Sequence, residues 1–254
     1  SIPDIIKELL EDGGIPAKSY ALRLSQKYEP EEHVCEYAES HFSFISRWME
    51  REGIYYYFEQ GDSGEKLIIT DNKSVHEDLV SAPVRYYALS GPDATAKECL
   101  QTLVCHHRSL PATIRVQDYD YAKPTLDISG TASVSRTALG EINIHGARAF
   151  TPEAAQRMAK LRAEDILCRE VMFTGSGSTL YLRPGYTFKL EDHPRSSFDA
   201  KYLVTEVEHY GNQSASTPEL QRMTGLDADD VYRVNVTAIP AATQYRAEER
   251  TQCP

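Results

Sequence analysis

The stretch from Tyr37 to Glu59 constrains the fold of this chain more than any other. It reads as a helix that stops on a glycine and runs straight into an aromatic strand. Ser40 has N-cap chemistry, since its hydroxyl can accept from a free N–H of the first turn. Gly53 stands where a left-handed residue closes a helix. Between them Phe42, Ile45 and Met49 fall at i, i+3 and i+7, which predicts one apolar face with Arg47, Glu50 and Arg51 elsewhere. Ile54 to Phe58 form a β-prone run, Gly61 to Gly64 a turn, and Leu67 to Thr70 a return strand. This segment is architecture and embeds no catalytic constellation.

The remainder reads as α+β, mainly β. Ile2, Ile5, Ile6, Leu9 and Leu10 are interrupted by charges at helical spacing, which predicts an amphipathic helix over Pro3 to Leu10 rather than the apolar core of a leader peptide. Tyr20 to Ser25 suggests a strand, and Ser90-Gly-Pro-Asp-Ala94 a boundary. In Thr113 to Tyr121 the alternation changes phase between Val116 and Tyr119, which predicts a bulge. Leu139 to His145 carries a second alternation. Thr151 and Pro152 announce a helix with Ala155, Met158, Ala159, Ala163, Ile166 and Leu167 inward. Leu180 to Leu190, Tyr202 to His209 and Val231 to Ile239 supply further strands. Antiparallel barrel-like domains with inserted helices are the expected architecture. The expected divisions are a linking helix over 1–14, an α+β unit over 15–90, a barrel-like domain over 91–240 with its helix near 151–170, and a linker over 241–254.

The chain of 254 residues can bury a sizeable core. Its 27 basic and 38 acidic residues give a formal charge of −11, and no basic stripe is visible, which argues against nucleic acid as a partner. No apolar run reaches bilayer-spanning length. Cys35, Cys99, Cys105, Cys168 and Cys253 are odd in number and form no Cys-x-x-Cys pair, so reduced, packed cysteines are expected.

Candidate chemistry is sparse. His106 and His107 are adjacent, so their rings diverge on a regular element, and no His-Glu-x-x-His accompanies them. Asp192, His193 and His209 invite a triad with a serine, but Gly175-Ser-Gly-Ser178 lacks the Gly-x-Ser-x-Gly elbow. Asp227-Ala-Asp-Asp230 opens like a calcium loop, yet the sixth position is Tyr232 and the twelfth Ala238. Asp118, Asp120 and Asp127 supply carboxylates for glycoside cleavage only at a set separation across a cleft; Tyr119 and Tyr121 beside them are expected to pack a strand face. No catalytic, cofactor-binding or metal-ligating residue is assigned, and no enzyme activity is expected.

Three segments in order carry a family resemblance: Glu39 to Phe58; Arg183 to Pro194 with Lys201 to Gln213; and Val231 to Pro240. Together they resemble the VgrG-type spike proteins of bacterial type VI secretion and the related hub proteins of contractile phage tails. The likeness runs from about Ile5 to Arg246. It implies the phage tail hub fold and a structural role at the base of a puncturing device, where a homotrimer joins a hexameric tube to a needle and carries effectors. The implied partners are copies of itself in the full-length protein, the tube protein, and needle-tip and effector proteins. The implied route is synthesis in the bacterial cytoplasm and export through the apparatus without a signal peptide, with transient membrane puncture and no transmembrane segment. The family pattern also has a barrel unit before this region, and an oligonucleotide-binding-like domain and a needle after it, so the chain reads as a fragment of the hub-like region. The alternatives are a phage tail hub and a hydrolase of cell-wall or other polymers.

Overall fold

A computed structural model describes residues 1–61, 64–79, 83–88, 98–211, 222–223 and 232–252. In chain order the elements are α1 (Ile2–Asp12), β1 (Tyr20–Arg23), α2 (His41–Glu52), β2 (Tyr55–Gly61) and β3 (Gly64–Thr70). Next come β4 (Val84–Arg85), β5 (Leu100–His107), β6 (Thr113–Asp118), β7 (Ile128–Ser133), β8 (Glu141–His145) and α3 (Pro152–Leu167). The last are β9 (Val171–Gly177), β10 (Thr187–Glu191), β11 (Lys201–Gly211) and β12 (Tyr232–Pro240). The fold is α+β and mainly β, with curled, barrel-like sheets and inserted helices, as expected.

These elements sort into two compact units, each assembled from separated stretches of chain. Unit 1 takes 1–75, 108–170 and 244–254; unit 2 takes 76–107 and 171–243. The expected boundary at Ser90 to Ala94 lies outside the described residues, and the units follow strand pairing. Strand β4 adds to β10, and β6 to β8 with α3 enclose a core of their own.

In unit 1, Ser40 Oγ accepts from Ser43 N at 3.1 Å and Gly53 adopts φ 72°, so α2 begins and ends where the sequence predicts. Its buried face is Phe44, Ile45, Trp48, Met49 and Glu52, while Phe42 is 62% exposed. The expected Phe42–Ile45–Met49 face is corrected accordingly: Phe42 sits about 200° around the helix from Phe44. Ile2, Ile6 and Leu10 of α1 share a core with Phe44, Trp48, Met49, Ile54 and Ile69. The sheet order is β1-β3-β2, with β1 parallel and β2 antiparallel to β3.

A second sheet of unit 1 has the order β7-β6-β8 and is covered by α3, whose Thr151 side chain accepts from Ala154 N at 3.2 Å. Ala155, Met158, Ala159 and Ala163 pack on Ile114, Val116 and Ile128, but Leu167 is 36% exposed. The expected bulge in Thr113–Tyr121 is absent. Strand β6 ends at Asp118, and the change of phase marks the chain leaving the sheet, with Tyr119 and Tyr121 exposed against one another at 5.2 Å.

Unit 2 is a six-stranded sheet of order β4-β10-β11-β12-β9-β5, antiparallel except for β4. Register shifts at Leu100/Thr102 and Val204/Glu206 provide the local kinks that let such a sheet curl. Leu182, Phe188, Leu190, Tyr202, Val234, Val236 and Ala238 fill its core. The run read as a strand from Leu180 becomes one only at Thr187, because Pro184-Gly185 turns the chain and Gly185 takes φ 85°.

Candidate functional site

The polar residues singled out from the sequence are dispersed, and most of those described have a partner of their own. His106 Nε2 meets Thr174 Oγ1 at 2.9 Å on the exposed face of β5, and His107 points the other way. His209 spends Nδ1 on the Tyr232 hydroxyl at 2.5 Å and Nε2 on Leu182 O at 3.2 Å. His193 Nδ1 accepts from Arg195 N at 3.0 Å, its ring lies between Tyr86 and Phe198, and Asp192 pairs with Arg85. Ser176 bonds Thr102 Oγ1 at 2.7 Å, and Ser178 Oγ accepts from Cys99 N at 3.3 Å. Asp118 accepts from Ala149 N at 2.8 Å, Asp120 from Ala122 N at 2.8 Å, and Asp127 is exposed. Asp227 to Asp230 and Cys253 lie outside the described residues. Among the described residues Cys35, Cys99, Cys105 and Cys168 form no disulfide, and no three His, Cys, Asp or Glu side chains gather to hold a metal ion.

What unit 1 does assemble is a charged anchor for residues 244–252. Arg246 is only 4% exposed. Its guanidinium donates to Gly53 O at 2.6 Å, to Asp71 O at 2.7 Å and to Glu164 Oε2 at 2.8 Å. It thereby joins the end of α2, the loop after β3 and the flank of α3. Arg169 donates back to Arg246 O at 3.1 Å, and the Tyr245 ring meets Tyr55 edge-on at 5.1 Å. Glu50 accepts from Arg250 N, Thr251 N and Thr251 Oγ, and Arg162 pairs with Glu249. The stretch read as part of a linker is thus packed into a compact unit. No sequence pattern marks Arg246; its partners come from positions far apart in the chain.

Asp71 orders the neighbouring loop. It accepts from Ser25 N at 2.8 Å, Ser25 Oγ at 2.9 Å, Gln26 N at 2.9 Å and the Tyr28 hydroxyl at 3.0 Å. Burial pushes its carboxyl up, but the N–H groups of Ser25 and Gln26 and the two hydroxyls outweigh that and hold it below the usual 3.8. A lowered carboxyl contributes stability that is whole above the unfolded value and is lost as pH falls through the folded one. Acid unfolding followed by circular dichroism should therefore show unit 1 weakening only below about pH 4. Asp71→Asn should flatten that dependence and cost about 2 kcal/mol at neutral pH; an unchanged acid slope would refute the assignment.

Beside the anchor lies a cleft of about 440 Å³ with an apolar floor of Trp48, Val116, Ile144 and Met158, and a rim of Arg47, Arg51, Arg148 and Arg162. Arg47 and Arg51 stand over the Trp48 ring at 5.6 and 5.3 Å from its centroid. Burial lowers the pKa of Arg51 and of Arg162, against the raising pull of Glu52 and of Asp165 respectively. Large apolar side chains also reach solvent in unit 1, among them Tyr56 and Phe58 on the outer face of β2 and Leu139 and Phe150 in loops. Tyr56 and Phe58 meet edge-on at 6.0 Å, and adjoining exposed rings of this kind mark contact surfaces.

The sequence profile of the phage tail baseplate hub (GPD) family matches residues 1–215. The chain belongs to that family. Among curated proteins it is similar to the type VI secretion system spike protein VgrG1b of Pseudomonas aeruginosa, 26% identical over all of this chain and 34% of the relative. It is also similar to VgrG1a of the same organism, 24% identical over all of this chain and 39% of the relative. The chain thus spans about a third of the length of the curated relatives it matches. Among solved structures it shares its fold with the E. coli c3393 protein, described as a type VI secretion component similar to the T4 tail proteins gp27 and gp5. That match has a TM-score of 0.62 and 17% identity over 100% of this chain and 52% of the other. A tail protein from Neisseria meningitidis MC58 matches with a TM-score of 0.62 and 12% identity, over 96% of this chain and 68% of the other. The resemblance read from the three segments is borne out. Over this region the baseplate hub family and its spike relatives are structural proteins, not enzymes.

Proposed function

We propose that this chain is the hub-like part of a type VI secretion spike, a homotrimer in the full-length protein that joins a hexameric tube to a needle and carries effectors. The observation that carries this reading is the alignment of spike relatives along the whole chain, from first residue to last. Exposed aromatic side chains on β2 support it, because closed oligomers bury such faces against copies of themselves. The packed 244–252 segment supports a mechanical role: a push delivered to unit 1 reaches that segment through Arg246 and Glu50 rather than through a slack tether. Export would proceed through the apparatus; among the described residues no helix is long and apolar enough to cross a membrane. A phage tail hub shares this fold and family, and the names of the relatives favour the secretion spike.

Light scattering of the purified full-length protein should return three times the mass of one polypeptide across a tenfold range of concentration. A strictly monomeric species under those conditions would overturn the proposal.

A further inference from the structure

The cleft beside α2 leaves two buried hydrogen-bond donors and one exposed cation, Arg148, without partners among the described residues, while its other cations are paired: Arg47 with Glu39, Arg162 with Glu249, and Arg51 beside Glu52. Trp48 is 7% exposed, and its Nε1–H finds no acceptor among the described residues; neither does Arg51 Nε–H, which has only the Glu52 carboxylate at 3.8 Å. Arg51 Nη2 donates to Arg148 O at 3.1 Å, which pins Arg148 at φ 58° in the left-handed region. A non-glycine residue there is strained, and this one projects an exposed guanidinium with no ion pair among the described residues. The acidic groups of the cleft are already committed: Glu249 to Arg162, and Glu50 to the backbone of Arg250 and Thr251. In a chain of net charge −11, Arg148 is thus an uncompensated cation beside an apolar floor.

Its second component is a strand edge. Strand β8 pairs with β6 on one side and has no strand neighbour on the other among the described residues. Glu141, Ile142 and Asn143 are exposed along it, and the chain leaving β8 through His145, Gly146 and Ala147 to Arg148 forms the cleft wall. An open edge offers backbone hydrogen bonds to an extended segment, and an adjoining arginine-rimmed cleft selects what that segment carries.

We propose that this face docks an extended acidic peptide of a partner protein, adding as a strand along β8 and placing a carboxylate against Arg148 and Arg51. This inference goes beyond the spike reading and stands apart from it, since the mass measurement above neither requires nor reports peptide binding.

Trp48 is the only tryptophan, so its fluorescence and its single indole N–H resonance report the cleft directly. The probe is acetyl-Ser-Glu-Val-Glu-Ser-amide, titrated into the 254-residue chain alongside the Ser-Gln-Val-Gln-Ser analogue and inorganic phosphate. The acidic peptide should shift the Trp48 signals saturably and slow amide exchange over residues 141–145, and the glutamine analogue should do neither. Arg148→Gly, which relieves the left-handed backbone while removing the charge, should weaken binding about tenfold, and Arg148→Lys should keep most of it. Equal binding of the glutamine analogue, undiminished affinity in Arg148→Gly, or an equal response to phosphate without protection of 141–145 would each overturn the proposal.

Discussion

Replacing Arg246 by methionine is expected to destabilise unit 1 by about 4 kcal/mol, because it removes one partner of a buried ionic cluster and leaves the others in place. The side chain is 4% exposed, and three acceptors depend on it: Gly53 O, Asp71 O and Glu164 Oε2. Methionine fills much of the volume but donates nothing, so two carbonyls and a carboxylate lose their donor in a poorly hydrated site. For a unit of this size the loss corresponds to a fall of about 10 °C in melting temperature. Trp48 is the only tryptophan and lies in unit 1, so a thermal melt followed by its fluorescence reads the right unit. Arg246→Lys should lose about half as much, since an ammonium reaches one or two of the acceptors but cannot present the planar fork. Glu164→Gln should cost less than either, because the two carbonyl contacts persist. A loss under about 1 kcal/mol in the methionine variant would show that this network is not what holds residues 244–252.

Arg246 also shows where sequence reading stops. Local features were legible because their physics is local. Ser40 and Gly53 fix the ends of α2 through a hydroxyl and a left-handed backbone, and both are visible in the string of residues. Thr151-Pro152 does the same for α3, and the alternation of Val234, Val236 and Ala238 reports a strand with one buried face. Two local readings failed for a shared reason. Helical spacing with Ile45 and Met49 puts Phe42 on an apolar face, and alternation puts Tyr119 on one, yet a residue in the first turn of a helix or just past a strand end is free to face water. Long-range pairing left no trace at all. Nothing in Val84-Arg85 announces a parallel partner at Leu190-Glu191, and nothing near Tyr20 announces Leu67. The anchor and the cleft are built from such distant pairs, with Glu50, Arg148, Arg162 and Thr251 meeting around one cavity. Residues so far apart share no local motif, and the functional reading rests on the resemblance of three ordered segments.

The second large effect is expected at Gly130, where β7 and α3 approach closely enough that a methyl group has no room. A Cβ on this residue would stand 2.3 Å from Gln156 N and 2.4 Å from both Ala155 C and Gln156 Cα. All three are backbone atoms of α3, so no rotamer change relieves the overlap, and the helix itself has to lift from the sheet. That movement would break a second feature. Strand β7 is an edge of its sheet, and the Gln156 amide covers it: Nε2 donates to Thr131 O at 2.9 Å, and Oε1 accepts from Thr131 N at 3.2 Å. The side chain makes the two bonds that a neighbouring strand would make, which protects an edge otherwise open to pairing with another chain. Gly130→Ala should therefore cost about 3 kcal/mol or more through overpacking and should raise the tendency to aggregate. Gly140→Ala supplies the comparison, since Gly140 has φ 92° but nothing within 4 Å of its Cβ position. Its penalty is backbone strain alone, about 1 to 2 kcal/mol. Urea unfolding followed at Trp48 should rank Gly130→Ala well below Gly140→Ala in stability, and the reverse order would mean that α3 gives way easily and that close packing at β7 contributes little.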